Sequence, residues 1–114
     1  MLNRAGASNP GRLRLRLILE KPAATPDGAG GATIAWTSAA TLWADVTALR
    51  AEERSVGEGR GDLTRHRIVV RHRSDVEPGD RFRLGTRLFR IVGVTDPAED
   101  GRYLVCLAEE EGRP

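Results

Sequence analysis

The segment RLRLRLILE, from Arg12 to Glu20, decides the fold class of this protein because its polarity changes at almost every residue. Leucine occupies the odd positions and arginine the first even positions: Leu13, Leu15, Leu17, Leu19, Arg12, Arg14 and Arg16. Side chains of a β-strand point alternately to opposite faces, whereas a helix would scatter these leucines around its circumference. The segment therefore predicts a strand, continuing to Lys21, whose leucines are buried and whose arginines face outward.

Further runs with strand character follow, separated by turn residues. They cover residues 33–36, 41–49, 64–73, 81–84, 87–94 and 102–108. Alternation within 41–49 divides this run into two faces, Trp43, Asp45 and Thr47 against Leu42, Ala44, Val46 and Ala48. The same run also fits a short helix, but no long amphipathic helix is present. About six strands therefore predict an all-β fold, either a small antiparallel β-barrel with a long flexible loop or a sandwich; closure into a barrel would remove exposed edges.

A chain of 114 residues is expected to form one domain. Residues 1–11 are small and polar and predict a flexible N-terminal arm, residues 12–109 the barrel, and residues 110–114 a C-terminal tail. Residues 22–31 predict a loop, and residues 37–40 separate two extended runs. Residues 50–62 predict a second, charged loop, with a helical turn at 51–55 and three glycines at positions 57, 59 and 61.

Composition narrows the class of protein further. Net charge is only +2, yet arginine supplies seventeen of the eighteen basic residues. This bias reflects either a GC-rich genome or the use of arginine in contacts, since its planar guanidinium pairs with carboxylates and phosphates in bidentate fashion. Cys106 is the only cysteine and lies in an apolar run, so we expect a buried structural thiol. With no signal peptide and no apolar run of membrane-spanning length, we expect a cytosolic chain without membrane contact.

No motif in the chain indicates an enzyme or a cofactor. Phosphate-binding glycine motifs are absent, and His66 and His72 lie six residues apart on one strand, too far for adjacent metal ligands. Turn formation explains the carboxylates Asp75, Glu77 and Asp80 better than catalysis does. We therefore expect a non-enzymatic protein with no catalytic residues, metal or cofactor.

Basic strand faces leave a nucleic-acid-binding function open. Arginines that follow several strands could track a phosphate backbone: Arg12, Arg14, Arg16, Arg65, Arg67, Arg71, Arg73, Arg81, Arg83, Arg87 and Arg90. However, aromatic side chains for base stacking are scarce, and sixteen acidic residues offset the basic ones. We therefore favour a strand surface that faces solvent or a neighbouring subunit.

Five stretches, in this order, carry a family resemblance over residues 13–109. They are the opening strand 13–21 with its Pro/Asp/Gly loop, Trp36 with LWADV (42–46), the charged loop with Glu52 and Glu53, HRIVVRHRSDV with PGDR (66–81), and RLFRIVGV (87–94) with Asp96. In this order and spacing the chain resembles the phage head-tail joining family, the head-completion or stopper proteins of long-tailed phages and gene transfer agents. His72 departs from the family pattern, in which an aromatic residue is common.

This resemblance implies a structural role in the neck of a phage-like particle that assembles in the bacterial cytoplasm. Such proteins form a ring of six or twelve copies below the portal and its adaptor. The ring closes the filled capsid, retains the packaged double-stranded DNA and presents a surface to the tail terminator. The implied fold is a small β-barrel with a long loop that projects into the channel. The arginine-rich composition favours a gene transfer agent or a similar phage.

Two groups of residues are candidates for that role. In the loop 50–62, glycines permit backbone changes and arginines could meet DNA phosphates, so the candidate channel gate is Arg54, Gly57, Gly59, Arg60 and Gly61. The alternative is an ordinary solvated loop. For contacts with a neighbouring subunit or the adaptor, arginines opposite acidic segments suit a heterologous ring contact, and the candidates are Arg12, Arg14, Arg16, Glu52, Glu53, Glu109 and Glu110.

Alternative functions remain at this point. A tail terminator or another tail-tube ring protein would use the same kind of barrel, and a small nucleic-acid-binding β-barrel belongs to a different class. Phosphate contacts weaken steeply with salt, so a salt-dependent DNA shift would identify the last of these.

Overall fold

The computed structural model describes residues 13–49 and 64–111, which form six antiparallel strands and no helix. The strands are β1 (Leu15–Pro26), β2 (Ala32–Ala48), β3 (Thr64–Arg71), β4 (Arg81–Leu84), β5 (Arg87–Thr95) and β6 (Tyr103–Glu110). They close into a barrel in the order β1-β2-β3-β6-β5-β4, with β4 completing the circle against β1. The predicted all-β barrel of about six strands is confirmed.

The core fills the barrel with one inward-facing set of side chains from every strand. Leu17 and Leu19 of β1 are fully buried, as the alternating pattern predicts. Phe82 and Phe89 lie opposite each other on β4 and β5, and both are fully buried. Complete burial of each such side chain stabilises the fold by roughly 1.5–3 kcal/mol. Cys106 is also buried in this core, in agreement with the prediction.

The predicted burial of the first two leucines is wrong. Leu13 is only partly buried, and Leu15 is 40% exposed. β1 begins at Leu15, whose register partner is Ala44, so these leucines lie at the rim of the barrel and not inside it. Arg14 and Arg16, on the other face of the strand, are exposed as expected.

The predicted loop at residues 22–31 is also wrong in extent. β1 continues through Pro26 and β2 begins at Ala32, so only residues 27–31 form the turn, and residues 22–26 belong to a two-stranded ribbon that extends past the barrel. We call residues 22–36 the projecting hairpin. Its turn is closed by Asp27, whose Oδ1 accepts hydrogen bonds from the backbone N–H groups of Ala29 (2.8 Å) and Gly31 (3.1 Å). The turn requires glycine at position 28, where φ is +83°.

β2 is one continuous strand of 17 residues, and the break predicted at residues 37–40 is absent. Instead, Leu19 pairs with Ala40 and Glu20 with Ser38, which leaves Ala39 as the extra residue of a β-bulge. Because a bulge bends and twists a strand without ending it, β2 continues through the small residues at 37–40. β6 ends at Glu110, two residues beyond the predicted end of the last strand.

Candidate assembly surface

The outward face of the β1–β2 ribbon carries two of the three large apolar side chains that are exposed in the described residues. Directly opposed residues of antiparallel strands share a face. The register therefore groups Arg16, Ile18, Glu20, Pro22, Ala24 and Pro26 of β1 with Ala32, Ile34, Trp36, Ser38, Thr41 and Trp43 of β2. We call these twelve residues the ribbon face. Ile34 and Trp43 are 54% and 53% exposed. Two exposed large apolar side chains on one face make this face the best candidate, among the described residues, for contact with another protein.

Both tryptophans of the chain lie on this face, and each has an arginine guanidinium over its ring. The Cζ atom of Arg16 lies 5.5 Å from the ring centroid of Trp43, and that of Arg81 lies 4.1 Å from the centroid of Trp36. The cations are attracted to the negative faces of the rings, which holds the side chains in place before any partner binds. Tryptophan and arginine are also the residue types that most often dominate binding energy at protein interfaces.

A buried carboxylate ties β1 to β4 in the middle of the ribbon face. Glu20 Oε1 accepts a hydrogen bond from Arg81 Nε (2.7 Å), and Oε2 accepts one from Arg83 Nε (2.8 Å). Burial alone would raise the pKa of Glu20, but the two guanidinium groups outweigh it and hold that pKa below its ordinary value. Glu20 therefore stays ionised and closes the barrel at its shortest strand.

The only lysine of the chain makes the next link between β1 and the turn before β4. Lys21 Nζ lies 2.6 Å from Asp80 Oδ2 and 3.5 Å from the exposed Glu77. Asp80 Oδ2 also accepts the backbone N–H of Glu77 at 3.1 Å, which is the turn-forming role expected of these carboxylates. Burial lowers the pKa of Lys21, and the bond to Asp80 more than reverses this effect.

The predicted interface residues Glu109 and Glu110 lie on β6 and are paired within the chain. Glu109 lies between Arg65 Nη2 (3.2 Å) and Arg90 Nη2 (3.1 Å). Glu110 is buried and accepts two hydrogen bonds from Arg87, 2.8 Å from Nε and 3.0 Å from Nη2. These pairs join β6 to its two neighbours, β3 and β5. A contact of either glutamate with another subunit stays a prediction.

His66 is a core residue beside the Glu110 pair. It is 3% exposed, packs edge-on against Phe89 with ring centroids 4.9 Å apart, and has Nε2 3.6 Å from Glu110 Oε1. Burial lowers the pKa of His66 more than the Glu110 charge raises it, and the nearby Arg87 lowers it further. His72, by contrast, is exposed. Among the described residues, no group of three or more His, Cys, Asp or Glu is arranged to hold a metal ion.

Comparison with known proteins identifies the family. The sequence profile described as "Phage head completion protein" matches residues 8–111. The chain belongs to the phage head completion protein family. This match covers most of the chain and confirms the resemblance that the sequence stretches indicated.

Two solved structures resemble this family member closely. A chain from the structure titled "Virion of native gene transfer agent (GTA) particle" is 37% identical, with a TM-score of 0.73, and the alignment covers 89% of this chain and 96% of that chain. The solution structure of protein SF1141 from Shigella flexneri 2a is 27% identical with a TM-score of 0.66, covering 94% and 100%. No significant match was found among curated proteins. The family is one of structural particle components. The described part of this chain contains no helix that is long and apolar enough to cross a membrane.

In this head completion family member, the structure places only part of the predicted site. Arg12, Glu52, Glu53 and the candidate gate residues Arg54, Gly57, Gly59, Arg60 and Gly61 lie outside the described residues, as does the predicted helical turn. Several arginines considered for nucleic-acid contact instead pair with carboxylates of adjacent strands: Arg65, Arg81, Arg83, Arg87 and Arg90. Sequence reasoning missed the projecting hairpin and the ribbon face. The signal was present in residues 32–43, which contain no charged residue, proline or glycine.

Proposed function

We propose that this protein is the stopper of a phage-like particle: a ring between the portal–adaptor assembly and the tail that closes the DNA-filled capsid and docks the tail. The observation that carries the proposal is the family match over residues 8–111, together with 37% identity to a chain of a gene transfer agent virion. Relatives at this identity and coverage share a fold, and a head completion role in the same kind of particle is the simplest common function.

The length of β2 supports a ring role for the barrel. β2 begins at Ala32, within the projecting hairpin, and ends at Ala48. A 17-residue strand is roughly 55 Å long at 3.3 Å per residue, so its two ends are far apart. The end at Ala48 is joined to β3, because the Leu49 N–H donates a hydrogen bond to the Arg65 carbonyl (2.8 Å). The projecting hairpin can therefore contact a protein neighbour far from the point at which the chain continues toward the candidate gate residues.

Deletion of the gene in the producing strain tests the position in the particle. We expect filled heads that fail to join tails and whose DNA is degraded by added nuclease, with both defects restored by the wild-type gene. Intact heads with tails of irregular length would instead indicate a tail terminator. Tailed, nuclease-resistant particles that assemble without the protein would refute the proposal.

A shortened loop tests the predicted gate separately. We expect a chain lacking residues 56–61 to enter particles at the wild-type level but to retain less DNA, because the candidate gate residues Gly57, Gly59, Arg60 and Gly61 are removed. A matched control replaces the same segment with six residues that restore the glycines and the arginine. Normal DNA retention in the deletion variant would assign gating to another segment or protein.

A further inference from the structure

The projecting hairpin has one apolar side that the described residues leave uncovered. Its outward side carries Pro22, Ala24, Pro26, Ala32, Ile34 and Trp36, whereas the opposite side carries mainly threonine and alanine. All of these outward residues except Trp36 are exposed. An isolated two-stranded ribbon is marginally stable in water, so a hairpin with this apolar side is expected to gain its order from a protein contact.

The edges of the hairpin support the same conclusion. β3 pairs with β2 only from Ala44 to Ala48, and within the described residues no strand pairs with the same edge from 32 to 43. Natural proteins usually protect a free edge with charged residues, proline or a short strand. This edge has twelve residues without charge or proline. On β1, by contrast, Pro22 and Pro26 lack backbone donors and so weaken the second edge as a template for pairing.

A surface that could bind this hairpin lies on the barrel, around Trp43 and Arg16. Among the described residues, Trp43 is one of only three exposed large apolar side chains, and Arg16 lies over its ring. The projecting hairpin carries a single charged residue, Asp27, which is exposed at its turn. Hydrogen bonds from the backbone N–H groups of Ala29 and Gly31 lower the pKa of Asp27, so it is an anion at neutral pH. An apolar hairpin with an anionic tip thus complements a barrel surface on which the exposed Trp43 lies beside the cation of Arg16.

We propose that the projecting hairpin of each subunit packs on the barrel wall of the next copy of this chain, with Asp27 near Arg16 and Ile34 near Thr41 and Trp43. The inference rests on the ring of the proposed function. A ring contact is heterologous, meaning that two different patches of the subunit meet. The hairpin side of the ribbon face (residues 22–36) and its barrel side (Arg16, Thr41 and Trp43) are two separate patches along the ribbon, as such a contact requires.

The length of the hairpin suits this contact. From Lys21 to Pro26 the ribbon extends by five residues, which is roughly 16 Å at 3.3 Å per residue. Sheets that pack face to face lie about 10 Å apart. A hairpin that extends by roughly 16 Å is therefore long enough to lie on the barrel of a neighbouring subunit.

Cysteine cross-linking in assembled particles tests the contact. The variant carrying both Ile34→Cys and Thr41→Cys places two thiols seven residues apart on β2, roughly 23 Å, far beyond the Cα separation of about 7 Å that a disulfide tolerates. A disulfide must therefore join different chains. Buried Cys106 contributes little background, because burial raises the pKa of its thiol to about 12. After oxidation we expect a ladder of covalent oligomers on a non-reducing gel, at least tenfold above either single variant.

The matched control carries Ile34→Cys with Thr95→Cys, an exposed position on β5 across the barrel from β2, and should give no ladder. Products that stop at the dimer would mean reciprocal pairing, and cross-links to another particle protein would mean a different receptor; either result overturns the inference. Absence of the wild-type protein from particles would instead refute the proposed function, so the two failures are distinguishable.

A charge test addresses the tip. Asp27→Asn keeps an oxygen that accepts the Ala29 and Gly31 N–H groups but removes the charge, and we expect the ladder to fall about threefold, the size of a partly exposed ion pair. Arg16→Gln should give the same fall, and the double variant should lose no more than either single variant. An unchanged ladder in both single variants would refute the Asp27–Arg16 contact.

Discussion

Replacement of Glu20 by glutamine removes the charge that joins β1 to β4. The side chain keeps its size, but its acceptor is now a neutral amide, and the guanidinium groups of Arg81 and Arg83 lose their shared anion. β4 has only four residues and pairs with β1 over three positions, so this carboxylate is a large part of the barrel closure. We expect Glu20→Gln to lower the free energy of unfolding without changing the fold.

The magnitude follows from the exposure of each partner. A hydrogen bond to a charged group contributes about 1.5–3 kcal/mol when it is shielded from water, and the Arg81 side chain is only 18% exposed. The Arg83 side chain is 38% exposed, so its pair is screened and contributes about 0.5–1 kcal/mol. The sum, with the lower end taken for Arg81, is about 2–2.5 kcal/mol, which corresponds to a decrease in Tm of roughly 10 °C for a domain of this size.

Urea unfolding followed by circular dichroism at pH 7 measures this loss. The matched control is Glu77→Gln, because Glu77 is 70% exposed and lies 3.5 Å from Lys21, and its loss should stay below about 0.5 kcal/mol. Equal m-values would show that both variants unfold from the same compact state. A loss below about 1 kcal/mol for Glu20→Gln, or one indistinguishable from the control, would refute the argument that this pair closes the barrel.

Two further predictions concern buried groups. Because the pKa of folded His66 lies below its ordinary value, the unfolded chain binds a proton first as pH falls, so stability is present above about pH 6.5 and decreases below it, by about 1.4 kcal/mol per pH unit until the folded pKa is reached. His66→Phe should abolish this component in urea titrations between pH 7 and pH 5, and an unchanged slope would contradict the assignment. Burial raises the pKa of Cys106 to about 12, so its thiol should react with a disulfide reagent at pH 8 only after unfolding; rapid reaction of the native protein would show that the core is open at β6.

The local pattern of the sequence was enough to determine the fold class. Alternation in the first strand places Leu17 and Leu19 inside and Arg14 and Arg16 outside, because successive side chains of a strand must point to opposite faces. The same rule correctly divided β2, in which Leu42 and Ala44 are buried and Trp43 is exposed. The order of short motifs also indicated the family, which the profile match confirmed.

Only the tertiary structure decided where the strands end and which charges meet. Proline, glycine and alanine at residues 22–31 look like a loop locally, but cross-strand pairing in register extends the ribbon to Pro26 and Ala32. Leu15 has the same local pattern as Leu17 yet lies at the rim, because burial depends on what the neighbouring strands place above it. The same is true of the ion pairs. Glu20 accepts hydrogen bonds from Arg81 and Arg83, which are 61 and 63 residues away in the sequence. No periodicity in the sequence indicates such a pairing, because only the closure of the barrel brings these residues together.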